Sequence, residues 1–384
     1  MARNQEAARM SRVPCSRWPG LLLATSVLAA APAEAASTPE ADRLLAAVLR
    51  QDRPAFEGQR QYRLIRQTAS MEARMQVAWK DERNYRVTIQ DPPKLADVRV
   101  WLDNNRAHVH FPMENLFFRN DNPAGASEVG ATILGQVTQD GTALVRNYDL
   151  HVLGEAERMV GTLPDSVAGE PCDILEATPA GQARSGTYTR PGHRFWVARS
   201  SGHIMREERT WGSGLAPFFL SWYDAYAPSK TPAIGVPVPR DVNRVELAAA
   251  SRDNSFRTFR SAAEAEKAIG EPVALPGELP AGFRLVGIQC PTFYRSRLIL
   301  QSYTDGLNWL YVQYRGKPNL WVTLVAGAQA VRLVDKFQEL AFQAPYNYYG
   351  AEKGEQIVFV YGDLPPEDLR RVTDSLPLPT KGRS

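Results

Sequence analysis

The chain has 384 residues, 44% hydrophobic and 23% charged, which is enough to bury one or two cores and excludes global disorder. Its 45 Lys+Arg stand against 42 Asp+Glu; the first 35 residues hold four arginines and two glutamates, so the remainder has 41 against 40. A chain so balanced carries no electrostatic footprint for nucleic acid.

Those first 35 residues have the pattern of a secretory signal. Arg3, Arg9, Arg12 and Arg17 precede the apolar run LLLATSVLAA, and Ala33-Glu34-Ala35 supplies a small-residue cleavage site. The run is about half the length a membrane-spanning helix needs. Cys15 lies upstream of it, so it is not a lipid-anchor cysteine at the cleavage site. Removal leaves Cys172 and Cys290, each beside proline in strand-like context and expected as two buried free thiols.

From Thr38 the pattern is helical. Thr38 can cap, Pro39 suits the first turn, and Leu44, Leu45, Val48 and Leu49 form one apolar stripe. The period then changes to two. Met75, Val77 and Trp79 alternate with polar residues, as do Tyr85, Val87 and Ile89, then Val98, Val100 and Leu102. Asp103-Asn104-Asn105 is a turn, and Ala107, Val109 and Phe111 continue beyond it. Such segments make antiparallel strands with one apolar face. Residues 112–146 interrupt them with an apolar cluster, loop residues and a short helix. Strands resume at Tyr148–Val152 and at Cys172–Ile174, followed by a hairpin over RFWVARSSGHIMREERTW and the aromatic group Phe218, Phe219, Trp222 and Tyr223.

The segment APSKTPAIGVPVP, 227–239, is too rich in proline for regular pairing and is expected as a stiff connector and hinge. After it, Ser261-Ala262-Ala263-Glu264 is a capping box and Gly270 a helix stop. LILQSYTDGLNWLYVQYRG reads as a hairpin turning at Thr304-Asp305-Gly306, with LWVTLVAG and EQIVFVYG as further strands. Asp363-Leu364-Pro365-Pro366 opens a last helix. The expected organisation is a signal peptide at 1–35, a curved antiparallel half-barrel at 36–226, a linker at 227–250 and a smaller α+β domain at 251–384, an α+β protein throughout.

No phosphate-binding, dinucleotide, nucleophile-elbow or paired-cysteine motif occurs. His108-Val109-His110 places two imidazoles on one strand face, with Glu114 near, but Val109 and Phe111 take the apolar face, so the pair is expected in solvent and no metal is implied. His203, beside the turn Ser200-Ser201-Gly202, is likewise expected to be solvated. The aromatic and aliphatic groups are more informative. Trp79, Val87, Val100, Phe111, Leu116, Phe117, Phe118, Trp196, Trp211, Phe218 and Phe219 make either an ordinary filled core, the reading that composition favours, or the lining of a strongly curved sheet whose hollow would suit an acyl chain.

The order of segments resembles the sigma-E regulatory family, RseB/MucB, whose members join a lipoprotein-carrier-like (LolA-like) half-barrel to a smaller C-terminal domain. YDLHVLG (148–154) and SVAGEPCDILEATPA (166–180) are similar to the family's tyrosine-led and "V-A-G-R" strands. The hairpin that follows resembles its tryptophan–glycine–arginine pattern through Trp196, Gly202 and Arg206, with Ser200 or Ser201 where aspartate is usual. LPAGFRLVG (279–287), YTDGLNWLYV (303–312) and VYGDLPPEDLRRVTDSL (360–376) are similar to its "L-P-x-G-F", "Y-S-D-G-L" and "G-E-L-P-P" segments. LPGELPAGF also resembles a domain at the outer end of membrane-bound anti-sigma factors in other bacteria.

The resemblance implies a periplasmic, non-enzymatic regulator without cofactors. It would bind the periplasmic part of a membrane anti-sigma factor and sense lipid, lipopolysaccharide or lipoprotein acyl chains in the apolar cavity. The smaller domain would supply most of the partner contact, with Tyr303, Asp305, Trp309, Tyr311 and Tyr314 as candidates. Self-association into a homo-oligomer is a further partner class, and a lipoprotein carrier of LolA type is the alternative function.

Overall fold

The computed structural model describes residues 37–49, 54–65, 70–81, 83–104, 106–120, 148–180, 188–211, 216–235, 237–238, 240–247, 258–290, 292–293, 296–316 and 346–378. The signal segment, the helix expected within 121–147, the boundary at 251 and the strand LWVTLVAG lie outside them.

Helix α1 (Pro39–Leu49) begins as its sequence indicates, with the Ala41 amide donating to Thr38 Oγ1 at 3.2 Å. Thirteen strands follow in one large curved sheet. They are β1 (Phe56–Ile65), β2 (Ser70–Asp81), β3 (Asn84–Asp91), β4 (Arg99–Asp103), β5 (Arg106–Phe111), β6 (Leu116–Asn120), β7 (Tyr148–Val152), β8 (Ser166–Val167), β9 (Glu170–Pro179), β10 (Gly192–Ala198), β11 (Ile204–Thr210), β12 (Phe219–Pro228) and β13 (Asn243–Leu247). The order is β13-β6-β5-β4-β3-β2-β1-β12-β11-β10-β9-β7, with β8 paired to β9. Helix α2 (Glu155–Val160) lies between β7 and β8.

Register shows how one face is built. Leu175, Phe195, Glu207, Ser221, Tyr62 and Ala73 are successive cross-strand partners and therefore share a face. The same face carries Trp79, Tyr85 and Leu102, and Met75 beside Ile89. It is buried along its length, while the other face of β1 and β2 carries Glu57, Arg63, Glu72, Arg74 and Lys80. Register shifts at Gln59/Arg60, Arg74/Met75 and Trp196/Val197 add local twist and help the sheet coil toward its apolar side. At the first of these, Gly58 lets the chains close: a Cβ would meet Ala225 O at 2.8 Å and the Tyr223 ring at 3.0 Å.

Strand β13 departs from the expected connector. Residues 243–247 pair parallel to β6, closing that sheet edge. The proline-rich segment is itself tied down: Ser229 and Ala233 amides donate to Ala55 O and Glu57 Oε1, and Asn115 holds Asp241 and Asn243. Local composition shows only that proline limits pairing, whereas this strand is made by a distant partner edge.

Helix α3 (Ala262–Ile269) has the expected cap, Glu264 N–H to Ser261 Oγ at 3.2 Å, and ends at Gly270 with φ 71°. The second sheet comprises β14 (Arg284–Gln289), β15 (Thr292–Phe293), β16 (Ser296–Thr304), β17 (Trp309–Gly316), β18 (Asn347–Lys353) and β19 (Gln356–Gly362), ordered β14-β16-β17-β19-β18 with β15 on β16. Helix α4 (Pro366–Ser375) packs on β18 and β19, burying Leu369 and Val372 with Leu310, Val312, Val358 and Val360. The described residues, from 37 to 378, belong to a single compact unit.

Candidate functional site

The residues expected to line a cavity are buried in the core of the large sheet, most of them in two clusters. Trp79, Val87 and Phe219 join Tyr62, Leu64, Met75, Tyr85 and Tyr223 in one cluster. Val100, Phe111, Leu116 and Phe118 form the neighbouring cluster with Ile89, Leu95 and Val109. Phe218 stacks on half-buried Trp211, ring centroids 4.0 Å apart. Trp79 and Tyr85 stack at 5.4 Å, and neither Trp79 Nε1 nor Tyr85 Oη has a hydrogen-bond partner among the described residues. Burial pushes the Tyr85 phenol well above its ordinary range.

Phe117 and Trp196 each sit on the strand face opposite their chain neighbours. Phe117, between Leu116 and Phe118, points to the opposite face and packs with Trp101 and Val242, under the Arg244 guanidinium. Trp196 shares its row with Ile174, Arg206 and Trp222, not with Phe195. Its indole donates to Pro164 O at 2.9 Å and carries Arg206 at 4.7 Å. The chain between β7 and β9 covers it with Leu163 and Val167. Trp196 is thus buried in the same cluster as Trp79 and Phe219, on the opposite row of β10 from Phe195.

The histidines also differ from expectation. His203 is buried against Phe56, Tyr223 and Tyr226. His108 stacks on Trp101 at 4.8 Å, and His110 is buried, its basicity lowered by burial and by Arg99. The connector packs over this side of the sheet, which strand alternation alone cannot reveal. No group of three His, Cys, Asp or Glu suited to a metal occurs among the described residues. Cys172 and Cys290 are free and buried, and burial pushes both thiols up to about 11.

A buried polar junction joins the two sheets. The tip between β16 and β17, Asp305-Gly306-Leu307-Asn308, enters beside α1. Leu307 packs with Leu44, Leu45, Val48, Tyr148 and Phe195. Asp305 Oδ1 accepts the amides of Leu307 and Asn308 at 3.1 and 2.8 Å. Its Oδ2 accepts from Tyr148 Oη at 2.9 Å and Arg190 Nη2 at 2.6 Å. Asn308 Oδ1 faces His193 Nε2 at 2.9 Å, and Asn308 Nδ2 donates to Tyr148 Oη. On the large sheet His193 Nδ1 lies 3.4 Å from Glu207 Oε1, and Arg209 Nε donates to the same oxygen at 2.6 Å. Arg209 also pairs with Asp363, whose other oxygen accepts the Trp309 amide at 2.7 Å. Gly362 permits this approach, since a Cβ there would run into the Trp309 carbonyl.

Burial raises the Glu207 carboxyl, but Arg209 and His193 outweigh it and hold the group at about 2. Burial prevails at Asp363, raising it despite Arg209 and the Trp309 amide. No local pattern marks Arg190, His193, Glu207, Arg209 and Asp363 as a set. Yet YDLHVLG, YTDGLNWLYV and VYGDLPP, quoted above for the resemblance, meet here through Tyr148, Asp305 and Asp363.

Of the expected partner residues, Tyr303 and Tyr314 are inside the second core and Asp305 is inside the junction. Trp309 and Tyr311 lie on the outward face of the second sheet, stacked at 5.7 Å. Tyr311, Tyr361 and Tyr348 form one cross-strand row over β17, β19 and β18. Tyr348 is 45% exposed. Tyr361 and Tyr348 were absent from the sequence expectation; pairing of β19 with both neighbours is what makes the row.

A coiled antiparallel half-barrel whose end is clasped by a second antiparallel sheet with a C-terminal helix defines the fold class of this chain. It is the fold of MucB. A crystal structure of MucB superposes with a TM-score of 0.52 and 17% identity, covering 88% of this chain and 98% of that one. The complex of Pseudomonas aeruginosa MucA and MucB gives 0.51 at 16% identity, covering 89% and 99%. MucB in complex with MucA(peri) gives 0.50 at 16% identity, covering 88% and 99%. No family model and no curated protein matches the sequence.

Proposed function

We propose that this protein is a periplasmic regulator that binds the periplasmic part of a membrane anti-sigma factor and takes an acyl chain into the hollow of its large sheet. The observation that carries this reading is a fold shared with MucB along 88% of the chain, MucB having been solved bound to MucA(peri). The partner would rest on the outward face of the second sheet, where Trp309, Tyr311, Tyr361 and Tyr348 offer rigid aromatic area of the kind that anchors interfaces. The ligand would enter the apolar hollow, each methylene buried contributing about 0.8 kcal/mol. Trp79 Nε1 and Tyr85 Oη, on that face, are donors suited to a polar ligand group.

Two titrations test the proposal. The purified chain is titrated with the periplasmic segments of the anti-sigma factors encoded in its own genome; saturable binding of one is expected, and binding of none refutes the regulator. A fatty-acyl ligand is then titrated into the preformed complex. Weakened partner affinity is expected, and affinity unchanged at saturating ligand removes the lipid-sensing half.

A further inference from the structure

Two hydrogen-bond donors are buried without acceptors in the core of the large sheet. Trp79 and Tyr85 are 2% and 3% exposed, and neither Trp79 Nε1 nor Tyr85 Oη has a partner among the described residues. They are cross-strand partners on β2 and β3, and their rings stack at 5.4 Å. Phe56 faces Trp79 from β1, Leu102 faces Tyr85 from β4, and Val77 and Val87 follow on the same strand faces. None of these four side chains carries an acceptor. Leaving a buried donor unpaired is costly, and phenylalanine at either position would bury a ring without that cost. Two such donors side by side point to an acceptor supplied by a ligand.

Charge decides which acceptor fits. Burial raises the Tyr85 phenol, so it stays a donor, and no charged neighbour acts on it. The arginine on the same face of β1 is Arg60, four residues from Phe56 and so about 13 Å along the strand at about 3.3 Å per residue. It gives its Nε to Ser221 Oγ at 2.8 Å. An ionised carboxylate or phosphate held by the two donors would be a buried charge without a counter-ion. The carbonyl oxygen of an ester or amide is neutral and has two lone pairs, one for each donor.

Given the acyl-binding reading of the large sheet, on which this rests, we propose that Trp79 and Tyr85 bind the carbonyl oxygen of an acyl chain held in ester or amide linkage. The pair thereby selects such chains over free fatty-acid anions. Trp79 Nε1 and Tyr85 Oη donate to the oxygen, and the hydrocarbon continues among the apolar side chains of the cluster.

The full-length chain is titrated with methyl laurate, laurate and dodecane at about pH 8, where a fatty acid is ionised. Methyl laurate is expected to bind more tightly than laurate. In the double variant Trp79→Phe/Tyr85→Phe, the affinity of methyl laurate relative to dodecane is expected to fall about tenfold or more, as loss of two hydrogen bonds implies. The carbonyl stretch of methyl laurate bound to the native chain, read in the infrared, is expected below its position in hydrocarbon solvent. That measurement stands alone should the variant not fold. Binding of none of the three compounds refutes the acyl reading and the carbonyl pair with it. Laurate preferred to its ester, a stretch at the hydrocarbon position, or an unaltered affinity ratio in the double variant leaves the acyl reading standing and refutes the pair.

Discussion

Replacing Arg209 by methionine removes the guanidinium shared by Glu207 and Asp363 while keeping an unbranched apolar stem beneath Phe219, whose ring lies 4.4 Å from the guanidinium carbon. The cost can be worked from the alternatives open to the carboxylates. Glu207 still faces His193 Nδ1 at 3.4 Å, whereas Asp363 loses its counter-ion. Rather than stay charged in a buried site, it takes up a proton. Protonating a carboxyl of ordinary pKa near 4 at pH 7 costs about 4 kcal/mol at about 1.4 kcal/mol per unit. This agrees with the about 3–5 kcal/mol typical of a broken buried pair. The orphaned group has a raised folded-state pKa, so its penalty shrinks as pH falls toward the unfolded value. Urea unfolding followed by circular dichroism should therefore show a loss of about 4 kcal/mol at pH 7 and about 1–2 kcal/mol at pH 5. Adding Asp363→Asn should recover most of the loss at pH 7. A loss below about 1 kcal/mol at pH 7, or one that does not shrink at pH 5, would refute the reasoning.

Three further outcomes are expected. In titrations with a fatty-acyl ligand, the fluorescence response should be lost in Trp79→Phe and kept in Trp196→Phe, since Trp79 is paired across from Phe56 and Tyr85 while the Trp196 indole is bonded to Pro164 O. Gly58→Ala should lower stability by about 1–3 kcal/mol in urea unfolding, because its Cβ meets the Ala225 carbonyl and a buried tyrosine ring. Ser261→Ala should cost about 1 kcal/mol through loss of the α3 cap, and Ser261→Asp should not.

Local pattern made the elements legible. The period-two runs became β2 to β5, Thr38 and Ser261 capped their helices, and the turn at Thr304-Asp305-Gly306 formed as expected. Which way a residue points was less legible. The bulge opposite Trp196 breaks parity within the hairpin, so residues before and after it cannot be assigned by counting from the turn. The solvated face expected for His108 and His110 failed for another reason: a segment about 130 residues away in sequence packs over it through Val238 and Val242. Alternation reports which residues are apolar, and it does not report what later covers the polar side.

The junction shows the same limit most clearly. Glu207 and Arg209, in MREERT, have the composition of a solvated strand edge, yet both are 3% exposed. They pair with each other at 2.6 Å, but the remaining partners are remote in sequence: Asp363 is 154 residues from Arg209 and Asp305 is 115 from Arg190. Buried ion pairs of this kind add little net stability compared with apolar packing, but they penalise every misdocked arrangement that leaves a charge unpaired. The second sheet is therefore positioned by the penalty for leaving Arg190, His193, Glu207 or Arg209 without partners as well as by the burial of Leu307.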